Sequence, residues 1–181
     1  MLGLTWKDLA FAAGFALAGT CAALWFRLPG AAVAATAVLA LSLGTLMMTD
    51  RRFHRIPDVI SLPLIPLGLA VTWVLWPESL TEHLIAMACG GAAFLAVRWF
   101  YRWYRGVEGL GMGDVKLMMA AGAWTGLDYL APIVLGACLM ALAGLLLHVG
   151  AGGLGRQTRV AFGVWLAPAI LVAWLHMATA H

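Results

Sequence analysis

The amino-acid sequence predicts an all-α integral membrane protein, a polytopic bundle of about seven transmembrane helices, on three observations. The first is composition. Of 181 residues 64% are hydrophobic and 10% charged, where a soluble protein carries roughly 25% charged residues, and the mean hydropathy is +0.94. A soluble interior cannot hide that much apolar surface, so the excess faces lipid. The second is spacing: charges and Pro/Gly clusters divide the chain into apolar stretches, most of them close to the ~20 residues that cross a ~30 Å hydrocarbon core. The third is what these stretches lack. No barrel-type alternation runs through them, and in lipid each backbone amide needs an internal partner, which a helix supplies. Intrinsic disorder, a disulfide scaffold and a cytosolic enzyme are excluded.

The expected spans are 8–26, 31–49, 59–76, 82–104, 112–126, 128–149 and 160–179, in a single transmembrane domain covering 1–181. The first follows Lys7 and reads as a retained span rather than a cleaved signal, because nothing soluble follows it and Thr20-Cys21 is a poor lipoprotein cleavage site. The second runs without a charge into Asp50, and the third follows Ile56-Pro57-Asp58. The fourth ends in Arg98, Arg102 and Arg105 among Trp99, Tyr101, Trp103 and Tyr104. At the end of an apolar span this mixture is an interfacial anchor rather than a single-stranded nucleic-acid surface, and no nucleic-acid partner is expected. The fifth is short and abuts the sixth through Gly126-Leu127-Asp128. Between the sixth and seventh, Gly150-Ala-Gly-Gly-Leu-Gly155 lacks the ending and the preceding strand of a phosphate loop and reads as a flexible connection.

Charge orients the bundle. Lys7, Arg51, Arg52, Arg55, Arg98, Arg102, Arg105, Arg156 and Arg159 fall at one set of span ends; Arg27 falls at the other, with Glu78, Glu82 and Asp128. The positive-inside rule then puts the N-terminus in the cytoplasm and the C-terminus outside. Cys21, Cys89 and Cys138 lie in apolar stretches without paired spacing and are expected as buried free thiols. His54, His83, His148 and His176 have no ligand spacing, so neither metal nor other cofactor is expected.

Acids are few. Glu78, Glu82 and Asp128 belong to outer loops and Asp8 to the start of the first span, all read as solvated ends. Asp50 closes one apolar run and Asp114 opens another, both at the face predicted to be cytoplasmic. An ionisable group at such a place is a functional candidate by default. Two carboxyls brought together share one proton, since the first ionisation opposes the second. One can then draw a proton from water while the other polarises a peptide carbonyl, the arrangement of aspartic proteolysis. A proton relay or a polar contact between helices fits the same two residues. Gly109, Gly111 and Gly113 precede Asp114, and glycine there permits close backbone approach or an opening for an extended peptide.

Gly111-Met-Gly113-Asp114 followed by Val115-Lys116 resembles the G-x-G-D motif of the type IV prepilin peptidases. Asp50, with Ile56-Pro57-Asp58 and a proline-bearing apolar helix after it, is similar to their first aspartate motif. The resemblance covers roughly 40–170. It implies a six-helix peptidase core with one additional N-terminal span, in the inner membrane of a bacterium. It also implies Asp50 and Asp114 as the catalytic pair of an aspartic endopeptidase, needing no cofactor, that removes the leader from a prepilin-like substrate. That substrate would carry a basic leader, left in the cytoplasm, and a hydrophobic helix docked in the bilayer. Larger members hold an insertion with two C-x-x-C pairs and N-methylate the new terminus. No such pair occurs here, so the resemblance gives no ground for methyltransferase activity, and the short layout is similar to the tight-adherence (Flp-type) peptidases. Ala161-Phe162-Gly163-Val164 is a remnant of a Pro-Phe-Gly-Pro motif, without its prolines, and no role is assigned to it. Asp58 reads as a cap in the first turn of the third span, and Lys116 as a snorkelling residue at the membrane edge. Two rival readings stand beside this one: a proton-coupled transporter or assembly subunit, and an intramembrane aspartic protease of broader specificity.

Overall fold

A computed structural model describes residues 5–53, 56–106, 109–150 and 161–180, with side chains through 147 in the third segment. Helices α1 (Trp6–Trp25), α2 (Gly30–Phe53), α3 (Asp58–Leu75), α4 (Leu80–Arg105), α5 (Met112–Thr125), α6 (Leu130–Gly150) and α7 (Gly163–Ala180) follow one another, with a 3₁₀ turn at Pro77–Ser79. Among the described residues there is no strand. The order and number of helices match the sequence expectation, and their ends differ from it by a few residues. His54, Arg55, Glu108, Arg156, Arg159, the side chain of His148 and the glycine run 151–155 lie outside what is described.

Among the described residues six helices are long and apolar enough to cross a bilayer: α1, α2, α3, α4, α6 and α7. The fifth expected span is the exception. Helix α5 has 14 residues, about 21 Å at 1.5 Å per residue, short of a ~30 Å core. Its length is tolerable because protein, not lipid, surrounds it: Val115, Leu117, Met118 and every residue from Ala120 to Thr125 are buried. Neighbouring helices reach it through small residues. A Cβ added at Gly122 would meet the Ala86 backbone of α4 at 2.5 Å, and one added at Gly68 of α3 would meet Trp124 at the same distance. Trp124 also donates its indole N–H to the Leu64 carbonyl at 2.8 Å. At the end of α5 away from Asp114, buried His83 has Nδ1 3.0 Å from the Ala123 carbonyl and 3.1 Å from the Thr72 hydroxyl, joining α3, α4 and α5.

The other helices close around this centre. Helix α7 lies on α2, where Trp174 donates to Thr36 Oγ1 at 2.8 Å in the buried core. Helix α1 meets α2 almost backbone to backbone, since a Cβ at Gly44 would be 3.0 Å from Ala12 Cα. Two expectations need correction. Cys21, Cys89 and Cys138 are exposed, not buried; each sits on an outward helix face, where a thiol behaves as a small apolar group. Asp8 is buried rather than solvated and pairs with Arg52 at 3.0 Å. Glu78, Glu82 and Asp128 are exposed as expected, Glu82 accepting the Leu127 amide at 3.1 Å.

Gly122→Val tests the central packing. Helix propensity would hardly oppose it, yet the added carbons meet backbone that cannot yield, at the ~1–3 kcal/mol typical of overpacking. The thermal midpoint of the purified protein should fall clearly; a midpoint equal to wild type would mean that α4 and α5 are not in this contact.

Candidate active site

Asp50 lies in the last turn of α2 and Asp114 in the first turn of α5, so both acids come to one end of the bundle. Both are buried, 6% and 9% exposed. Local chemistry explains how each is aimed. Gly111 is the extended N-cap of α5, at φ −70° and ψ 147°, which makes Asp114 the third helical residue. From there its carboxylate reaches back to accept the Gly111 backbone N–H, the carboxylate half of a capping box. Asp114 Oδ1 is buried and accepts no hydrogen bond. The carboxyls of Asp50 and Asp114 lie within each other's electrostatic reach.

Four small or apolar residues wall this pair. A Cβ on Gly163, the first residue of α7, would sit 2.8 Å from Asp50 Oδ2 and 3.0 Å from Ile56 Cδ1. A Cβ on Gly113 would sit 2.6 Å from Ile56 Cβ. Ile56 therefore fills the space between the residue beside Asp114 and the residue against Asp50. Gly111 itself lies against Asp114, a Cβ there being 3.2 Å from Oδ2. The glycines let Ile56 and the two carboxyls approach their backbones closely.

Ion pairing frames the start of α5. Lys116 Nζ lies 2.6 Å from Asp58 Oδ1. Lys116 is thus not a snorkelling residue: its ammonium ties the second turn of α5 to the first turn of α3. Asp58 stands in the first turn of α3 as expected, and its carboxylate also holds the lysine. The loop before α5 is held from α4. Arg98 donates to the Leu110 carbonyl, and Tyr101 lies against Gly109 so closely that a Cβ there would collide with its ring. Trp99, Trp103 and Tyr104 are exposed, as an interfacial anchor requires. Arg98 and Tyr101 serve the loop instead.

Asp50, Asp114, Gly111 and Gly113 are therefore brought together, and Asp58 and Lys116 are joined beside them. Gly163, Ile56, Arg98 and Tyr101 escaped the sequence reading. Signals existed for Gly163, in the Phe162-Gly163 remnant, and for Ile56, which stands in the Ile56-Pro57-Asp58 motif. Among the described residues no three His, Cys, Asp or Glu side chains cluster as a metal site would.

The model of the type IV leader peptidase family matches residues 37–146. A prepilin leader peptidase/N-methyltransferase of Burkholderia pseudomallei is 33% identical over 168 residues, 92% of this chain and 53% of that protein. One from Dickeya chrysanthemi is 36% identical over 118 residues, 65% of this chain and 42% of its own. Leader peptidase HopD of Escherichia coli is 34% identical over 134 residues, 71% of this chain and 84% of that protein. The chain spans about half the length of the first curated relatives it matches. No solved structure gives a significant match.

The Lys116–Asp58 pair can be weighed directly. Asp58 is 58% exposed, so solvent screens the attraction to roughly 0.2–1 kcal/mol. A double-mutant cycle of Asp58→Asn and Lys116→Met on unfolding should return a coupling of that size, and additive effects would mean that the two side chains do not pair.

Proposed function

The chain belongs to the type IV leader peptidase family, and we propose that it is a membrane aspartic endopeptidase that removes the leader of prepilin-like precursors, with Asp50 and Asp114 as its catalytic pair. The observation that carries this reading is the meeting of two acids 64 positions apart, both buried and acting on each other at one end of an apolar bundle. Their mutual repulsion keeps one proton on the pair when the other is lost. The ionised carboxyl takes a proton from water as its oxygen adds to the scissile carbonyl carbon. The protonated carboxyl donates to the carbonyl oxygen. Collapse of the tetrahedral intermediate breaks the C–N bond, and the leaving amine takes a proton from the pair.

The walls support the same chemistry. Gly111 and Gly163 let backbone stand directly against the two carboxyls, and Gly113 lets Ile56 pack beside them. The protein is a multi-pass membrane protein. In our reading the acids face the cytoplasm, as Arg51, Arg52, Arg98, Arg102 and Arg105 favour by the positive-inside rule, and the C-terminus lies outside. A substrate of matching chemistry has an apolar helix for the bilayer and a basic leader that stays on the arginine-rich side. The names of the Burkholderia and Dickeya relatives include N-methyltransferase; the three cysteines here are single, and our reading is limited to the peptidase. Placement of both acids at one end rather than mid-bilayer argues against a transporter.

Co-expression with a pilin-like precursor tests the reading. Asp50→Asn and Asp114→Asn should each slow leader removal by at least about 100-fold, the scale of lost acid–base catalysis, with protein levels unchanged. Undiminished processing by either variant would sink the assignment. Gly163→Ala, whose methyl reaches Asp50 Oδ2, should cut the rate roughly tenfold, a displacement effect; a rate equal to wild type would remove Gly163 from the site.

A further inference from the structure

Helix α1 lies outside the residues matched by the family model, which begin at 37, yet its first turn holds a closed polar cluster against the end of α2. Thr5 is the N-cap of α1 and Asp8 its third residue. Asp8 Oδ2 accepts the Thr5 backbone N–H at 2.7 Å and the Thr5 hydroxyl at 2.8 Å. Asp8 Oδ1 pairs with Arg52 Nε at 3.0 Å. Arg52 Nη2 donates to Thr5 Oγ1 at 2.9 Å, which closes the ring of contacts. A carboxylate buried in this way is retained only with such a partner set.

We propose that this cluster is a clamp, with Asp8 and Arg52 as positioning residues for Asp50; the proposal rests on the peptidase reading above. Arg52 is two residues beyond Asp50 in α2, so the two side chains leave the helix about 200° apart at 100° per residue. Holding the guanidinium on α1 turns Asp50 the opposite way, into the bundle and toward α5. The clamp acts where it is needed. Asp50 is within four residues of the helix end at Phe53, the region whose carbonyls have no intrahelical donors and which frays when nothing ties it. A group that shares a proton with a partner on another helix must be held to within about 0.5 Å.

The test uses the full chain in membranes and a precursor whose leader the wild type removes. Asp8→Asn keeps the shape of the side chain and discards its charge; Arg52→Lys keeps the charge and discards the second donor. Each should lower kcat about tenfold and leave KM within twofold, because the docking of the substrate helix is untouched. Asp8→Glu should recover part of the loss, and Leu17→Ala on the exposed face of α1 should behave as wild type. Unchanged kcat at equal membrane abundance, or a loss confined to KM, overturns the clamp. If Asp8→Asn does not accumulate, Arg52→Lys decides by the same two criteria. Failure of the wild type to cleave any precursor sinks the peptidase reading and the clamp together, whereas cleavage that Asp8→Asn and Arg52→Lys leave undiminished sinks the clamp alone.

Discussion

Two carboxyls kept from water and within each other's field repel, and no apolar bundle would hold them side by side without a rigid frame. That repulsion is the constraint to which the rest of the architecture answers. Asp50 and Asp114 stand at the ends of two helices rather than within them, where caps and neighbouring charges can act on each. The Gly111 amide steadies one carboxylate. Around the pair, Lys116 joins α5 to α3, Arg98 joins the preceding loop to α4, and Arg52 joins α2 to α1. Every cation named here is used on a backbone or a partner acid beside the pair.

The shortness of α5 belongs to the same logic. A helix that must present an acid at a fixed point, with neighbours on all sides, is positioned by packing rather than by the thickness of lipid. Gly122 against Ala86 and Trp124 over Gly68 set its depth and rotation to within the tolerance of backbone contact. The far end is tied separately by His83, Thr72 and the Ala123 carbonyl.

Most of the helices were legible because the apolar runs are long and the charges sit at their ends, a signal that needs no knowledge of partners. The acids were legible for a related reason: Asp50 and Asp114 interrupt lipid-like sequence, where a charge is costly. What the sequence hid is relational. The pairing of Lys116 with Asp58 needs the relative rotation of two helices that share no pattern. Asp8 looked like any acid in a first turn, and only the close approach of α1 and α2 at Gly44 and Ala12 explains its burial. Cys21, Cys89 and Cys138 were misjudged because every residue of an apolar stretch looks buried until the outward face is known. Arg98 and Tyr101 share a helix end with true interfacial aromatics, and the direction in which each leaves the helix separates the two roles.

Gly163 stands against Asp50 but enters the chain 113 positions later, on α7. During translation Asp50 is thus inserted long before the wall it faces exists. A ribosome-bound intermediate holding five or six helices contains both acids and lacks a closed chamber around them. The wall against Asp50 is therefore completed only when α7 packs onto the earlier helices, and until then the two acids lack it.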